Sequence, residues 1–477
     1  MRLLIFSVIA LLFTGCAQRE PERRWLAGDH HIHSRFSVGW EETNPPKPII
    51  GGDAIYPIPK NAEMARKFGL EWMVATDHGG PNHSKVSLEM AYPELLASRE
   101  AVPEVIQFMG LELNSPGADH SSIIVPHTHD EAQNLVDYES RFDAKEAWPL
   151  DPSNNQPPLM LEAIRFADSL EKKPVVIAHH PSRSAMARGE YGMTTPEELR
   201  AWNDTAPDVA VGMEGAPGHQ AAKFTRNEQK AAYPPWVFAR GAYGRGYPTM
   251  GGFDQMTAIV GGFWDSMLGE GRRWWITANS DSHIHYTEGG IDFWPGEYSK
   301  TYVYAVKNHN DILEGIRNGR VFVTTGDLVS ELFVTLSGNS GHASIGGELI
   351  AMSGEELNIE IRIIDPTANN VAGQNPEVKR VDVITGQITG PHPDPTHDHN
   401  PSARVVERFY QSDWKQEGDA ILISTTLAVD TAAYLRVRGT NRQTELEPET
   451  DEFGEDPWDD LWFYSNPVFI AVDNNKK

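Results

Sequence analysis

Asp29-His30-His31-Ile32-His33-Ser34 sets His31 and His33 two residues apart. On an extended strand that spacing puts both imidazoles on one face, where together they can chelate a single ion. Asp29 shares the face and is placed to orient a ligand through a hydrogen bond. Residues of the same kind recur where short apolar runs end. Trp72-Met73-Val74-Ala75 runs into Thr76-Asp77-His78, Phe108-Met109-Gly110-Leu111 into Glu112, and Val175-Val176-Ile177-Ala178 into His179-His180-Pro181. Trp274-Trp275-Ile276-Thr277 leads to Asn279-Ser280-Asp281-Ser282-His283, and the run ending in Met213 adds Glu214 and His219 as pocket-lining residues. Thirteen of the eighteen histidines precede residue 290, so this chemistry belongs to the first part of the chain. Core histidines do not call for such repetition, whereas a hydrolytic metal centre does.

The elements that must position these groups follow from periodicity. From Leu26 to about Leu328, apolar runs alternate with helix-like segments, the pattern of βα units around a parallel sheet or barrel. Strands are predicted over 72–75, 105–111, 174–178, 209–213 and 274–277, and helices over 61–68, 159–170 and 311–318, the last stopped by Gly319. Thr195-Pro196-Glu197-Glu198 is a capping box with proline in the first turn. In barrels of parallel strands, functional groups gather at the C-terminal ends of the strands, so all these segments would face one pocket. After Leu328 the runs 332–336, 357–364, 380–384, 420–426 and 434–437 alternate like half-buried strands, which predicts a small β-sandwich. Its loops carry histidines at 392, 397 and 399 and an acidic stretch over 445–460, both read as solvated loops rather than metal sites. Trp458, Trp462, Phe463 and Tyr464 are read as core rather than as a carbohydrate-stacking platform.

Gly28-Asp29-His30-His31-Ile32-His33-Ser34, Thr76-Asp77-His78, Gly110-Leu111-Glu112, His180-Pro181 and Ser280-Asp281-Ser282-His283 resemble, in order, the motifs of the polymerase-and-histidinol-phosphatase (PHP) family of metal-dependent hydrolases. Trp264-Asp265-Ser266-Met267-Leu268 is similar to its exported branch. The resemblance covers most of residues 27–328 and implies an α/β fold, a distorted (β/α)7 TIM-like barrel holding two or three divalent ions. It implies His31, His33, Glu112 and Asp281 as ligands, with Glu112 bridging, joined by His78, His120, His180 and His283. His179 competes with His180 for its place, its alternative being a buried neutral histidine. Where many members carry an aspartate after the first motif, this chain has Val38, which puts a third metal site in question; Asp53, Asp77 and His83 are the possible substitutes.

The mixed imidazole and carboxylate set suits zinc, manganese or iron. The chemistry expected of it is ester hydrolysis by a metal-bridging hydroxide, with a phosphomonoester or phosphodiester as the small-molecule substrate. Asp281 and Glu112 would carry catalysis, and Arg183, three residues after His180, would grip a phosphate oxygen. Two other readings compete: hydrolysis of a carbon ester, amide or carbamate, and a non-catalytic metal- or glycan-binding lipoprotein. The formal charge of −26, from 67 acidic against 41 basic residues, disfavours nucleic acid as a partner.

Arg2, the apolar stretch 3–13 and Thr14-Gly15-Cys16 read as a secretory signal too short to span a bilayer. Phe13-Thr14-Gly15-Cys16 resembles a lipobox, which implies lipidation at Cys16, the chain's single cysteine. Ala17 in place of an aspartate favours the outer membrane over the inner, facing the periplasm or the cell surface, with membrane contact through this anchor alone. The expected organisation is a signal peptide over 1–16, a tether over 17–26, the metallohydrolase unit over 27–328 and the β-sandwich over 329–477.

Overall fold

The computed structural model describes residues 22–218, 249–290, 292–451 and 456–473. Cys16, the lipobox and His219 lie outside them. The strands of the first part are β1 (Arg24–Ile32), β2 (Gly39–Trp40), β3 (Pro48–Ile49), β4 (Trp72–Ala75), β5 (Ile106–Asn114), β6 (His120–Ile124), β7 (Val175–Ala178), β8 (Ala210–Ala216), β9 (Trp275–Ala278), β10 (Ser299–Ala305) and β11 (Val321–Thr325). After them come β12 (Glu331–Gly338), β13 (Gly341–Ser344), β14 (Glu348–Met352), β15 (Glu355–Ile364), β16 (Arg380–Gln387), β17 (Arg404–Tyr410), β18 (Lys415–Glu417), β19 (Ala420–Val429), β20 (Ala433–Thr440), β21 (Trp462–Ser465) and β22 (Val468–Asp473).

The expected (β/α)7 barrel is not the architecture found. Fifteen strands form one mixed sheet, in the order β14-β22-β20-β21-β11-β10-β1-β4-β5-β6-β7-β8-β9, with β16 and β17 attached at β20. A (β/α)8-type barrel needs parallel strands each followed by a helix. Here β6 runs antiparallel to both β5 and β7, and β1 lies between parallel β4 and antiparallel β10. The reversal is local in origin: Pro116 and Gly117, the latter at φ +79°, turn the chain straight back from β5 into β6 with no helix between. The far edge of β9 meets its neighbours through side chains. The Thr301 hydroxyl accepts from the Ala278 amide at 2.8 Å and donates to the Ala278 carbonyl at 2.6 Å, and the Asn466 amide pairs with Ile276 at 2.9 and 3.1 Å.

The sandwich expected after residue 328 does not stand apart either. β21 inserts beside β11, so strands from the end of the chain extend the first sheet. A second sheet, β13-β12-β15-β19-β18, covers this extension. Alternation supplies the core between them: Leu332, Val334 and Leu336 of β12 and Leu357, Ile359, Ile361 and Ile363 of β15 pack with Val381, Val383, Leu435, Val437 and Phe463. Trp458, Trp462, Phe463 and Tyr464 are all buried and form core.

Helices flank the first part of the sheet. Pro196–Thr205 begins with the expected capping box, Thr195 Oγ1 accepting from the Glu198 amide and the Glu198 carboxylate from the Thr195 amide. His309–Arg317 ends before Gly319 at φ +64°. Among the described residues no helix is long and apolar enough to cross a membrane.

Candidate metal centre

The parallel strands β1, β4, β5, β7, β8 and β9 all end on one side of the sheet, and the residues after those ends converge there. β6 contributes from its beginning, because antiparallel pairing sets His120 opposite Asn114 at the end of β5. His31, His33, His179, His180, Glu112, Glu214 and Asp281 are buried, while His78, His120 and His283 reach the solvent side.

Glu112 is the focus. Its Oε1 lies 2.9 Å from His120 Nδ1 and His179 Nδ1 and 3.2 Å from His31 Nε2 and His180 Nε2. One carboxylate oxygen has two lone pairs, so it cannot satisfy four imidazole nitrogens by hydrogen bonding. The second focus is Asp281 Oδ1, 3.1 Å from both His31 Nε2 and His33 Nε2, which are themselves 2.9 Å apart.

The outer partners assign the tautomers. His33 Nδ1 lies 2.7 Å from Ser37 Oγ, whose own proton goes to Asp77, so this hydroxyl accepts from His33. His31 Nδ1 faces Glu214 Oε1 at 2.7 Å, an acceptor. The two Nε2 lone pairs are thereby turned on each other and on Asp281. His179 follows the same logic: Ser122 Oγ donates to the His30 carbonyl and accepts from His179 Nε2, leaving the Nδ1 lone pair toward Glu112. Converging lone pairs with no proton to share are the donor set a cation requires. Four groups among the described residues could hold one: His31, His33 and Glu112; Glu112, His120 and His180; His33, His78 and His283; and His30, His179 and Glu214.

Electrostatics agree with this reading at Glu112, His33, His179 and His180, and depart from it at His31. Burial opposes ionisation of Glu112, but His120 and His31 overcome it and hold its carboxyl well below the usual range. Burial keeps His33 and His179 neutral, and it pushes His180 down to about 4, as ligands need. His31 is raised despite burial by Asp281, Glu214 and Glu112, a pull that a bound cation would answer in place of the proton. Burial also lifts Glu214 to about 7. Two of the four non-glycine residues at positive φ among the described residues are His180 at 25° and Asp281 at 48°. That conformation costs on the order of 1–3 kcal/mol each and is held here by the surrounding contacts.

The remaining residues sort by what they touch. Glu214 accepts from His31 and from the His180 amide, and Asp29 accepts from the amides of His31 at 2.9 Å and Ser280 at 3.0 Å, joining β1 to the loop after β9. Both Asp77 oxygens are taken by Ser34 and Ser37, so Asp77 builds the loop and does not face the cluster. His30 is satisfied by Ser122 and Thr277, and His83 by Glu139 and the Phe36 carbonyl. Asp53, in contrast, joins the centre: its Oδ2 lies 3.0 Å from His78 Nε2 and 3.1 Å from His283 Nε2. Arg183 is held by Asp119, which sequence reasoning missed although it directly precedes His120. Beside His120 opens a cleft of about 450 Å³ lined also by Asp119, Arg183 and Lys145. His392 stacks on His397 and His399 meets it at a tilt in the C-terminal part, but they form none of the metal-competent groups.

No family model matches the chain. No curated protein matches it. Among solved structures, the cellulose-active LPMO CelS2 (ScLPMO10C) in complex with copper overlaps it at a TM-score of 0.16 and 9% identity. The overlap covers 35% of this chain and spans 62% of that one, and it relates neither fold nor activity.

Proposed function

We propose that this chain is a metal-dependent phosphoesterase. The observation that carries the reading is the convergence of four imidazole nitrogens on Glu112 Oε1 within 3.2 Å. The order and spacing of the PHP-like motifs support it too, though the sheet is not the barrel that family implies. His31, His33 and Asp281 would hold one divalent ion and His120 and His180 another, with Glu112 shared; His78, His283 and Asp53 offer a third place. Zinc, manganese and iron all suit these donors. Bound there, the ions supply Lewis acidity and lower the pKa of water toward about 7.

The chain's own residues do the rest. Glu214 fixes the His31 ring, and Ser37 fixes that of His33, so both present Nε2. Asp119 orients the Arg183 guanidinium at the cleft, where it would take a non-bridging phosphate oxygen. In the reaction, the oxygen of water bonds to phosphorus, the bond from phosphorus to the ester oxygen breaks, and the alcohol leaves with a proton from that water. No protein nucleophile takes part.

The test is turnover of p-nitrophenyl phosphate and bis-p-nitrophenyl phosphate by the full chain, chelated and then resupplied with zinc, manganese or iron. Metal-restored release that Asp281→Ala abolishes is the expected result. Silence toward both esters with metal bound would overturn the reading. The proposal extends to location: Cys16 would carry a lipid anchoring the protein to the cell envelope, and palmitate labelling lost in Cys16→Ala would be its sign.

A further inference from the structure

The cleft beside His120 has two unlike ends. His120, Arg183 and Lys145 supply positive and hydrogen-bonding groups at the metal side. Elsewhere the wall is apolar: Leu150 and Met193 line it while 55% and 51% exposed, and Pro152 and Ala118 line it with them. Large apolar side chains left in water around a concave polar site mark a place where a ligand supplies the missing cover.

The polar residues of that wall do not change its character. Asn155 Oδ1 accepts from the Gly117 amide at 2.8 Å, and Asp151 Oδ1 from the Ser153 amide at 2.9 Å. The Asn114 amide donates to the Asp143 carboxylate at 3.0 Å and to the Gly79 carbonyl at 3.1 Å. Each of these groups is tied into the loops through at least one of its polar atoms. Along Leu150, Pro152 and Met193 a hydrocarbon would find contact. The volume of about 450 Å³ suits a small organic ligand.

We infer that the substrate is an amphiphilic phosphoester whose phosphoryl group sits at His120 and Arg183 and whose alkyl or aryl alcohol portion lies along Leu150, Pro152 and Met193. The inference rests on the phosphoesterase reading and adds to it the class of alcohol.

Ethyl, butyl and hexyl phosphonate, which cannot be hydrolysed, are titrated calorimetrically into the metal-loaded full chain. Affinity is expected to rise about two- to fourfold per added methylene. The double variant Leu150→Ser/Met193→Ser should lose that gradient while keeping its melting temperature and metal content. The single variants Leu150→Gln and Met193→Gln should each weaken it. Equal affinity along the series, no binding of any member, or a gradient that survives in the double variant would overturn the inference. Phosphate release from the matching alkyl phosphates separates the two readings. A gradient without release removes the hydrolase and leaves the apolar subsite standing; release without a gradient removes the subsite alone.

Discussion

Glu112 concentrates the chemistry of this molecule at one atom, because four rings point at its Oε1 and no arrangement of protons satisfies them all. Glu112→Gln keeps the shape and removes the charge. Metal analysis is expected to show at least one ion per chain lost, and kcat/KM to fall on the order of 10³-fold. A second residue offers a test free of metal. His83 is buried with Nδ1 on the Glu139 carboxylate and Nε2 on the Phe36 carbonyl. Burial works against its charge, but Glu139 prevails and raises it to about 9. Because the folded value lies above the ordinary 6.5, the stabilisation is fully present below about pH 6.5 and is lost as pH rises through about 9, with a magnitude on the order of 3 kcal/mol. Urea melts from pH 6 to 10 should show that loss, and His83→Gln should remove it. At this scale much was legible: His31, His33, Glu112, His180 and Asp281 announce themselves by type and place. Asp53 was legible only as one of three possible substitutes, beside Asp77 and His83, because the segment between residues 44 and 57 has no periodicity to say where a side chain points. Asp77 could not be told apart from it, since a carboxylate beside a ligand histidine reads the same whether it holds a metal or a serine.

The strands that deliver these residues tolerate little. A methyl on Gly28 would fall 1.9 Å from the Trp72 ring, which is itself pinned by its indole donating to the Leu26 carbonyl at 3.0 Å. Gly28→Ala should therefore destabilise the fold by about 3 kcal/mol and, because β1 carries His31 and His33, lower metal content in proportion; denaturant titration with metal analysis reads both. β4, β7 and β9 were legible from their apolar runs to within a residue. β6 was not. Ser121-Ser122-Ile123-Ile124 is short and half polar, and nothing in its periodicity separates it from a loop. Missing β6, together with β10 and β11 that pair antiparallel beside β1, turned a mixed sheet into an expected parallel barrel.

For the whole molecule, the decisive feature is a sheet that ignores the boundary near residue 328. Asp265, beside the first part of the sheet, receives Arg436 of β20 through Nε at 2.9 Å and Nη2 at 2.7 Å, and Tyr434 at 2.9 Å, all buried. Asp265→Asn leaves the guanidinium without its counter-charge and should cost about 3–5 kcal/mol. In calorimetry the protein should unfold in one transition, and a fragment ending at residue 328 should fail to fold, because β11 would lose β21. Two independent transitions would show the parts to be autonomous. The sequence hid this union because the partner of β11 lies more than a hundred residues downstream, and local patterns carry no record of distant pairing.

That union sets an order of events in the life of the chain. A ribosome finishes every candidate ligand by His283, yet β21 comes only at Trp462–Ser465. The nascent polypeptide thus carries a full complement of histidines and carboxylates well before the scaffold that spaces them exists. Ion capture during synthesis would meet a pliant, unselective chelator, so loading belongs after the last strands have docked. Selective metallation would thus wait on the C-terminal residues, since the geometry that discriminates between ions is complete only with them.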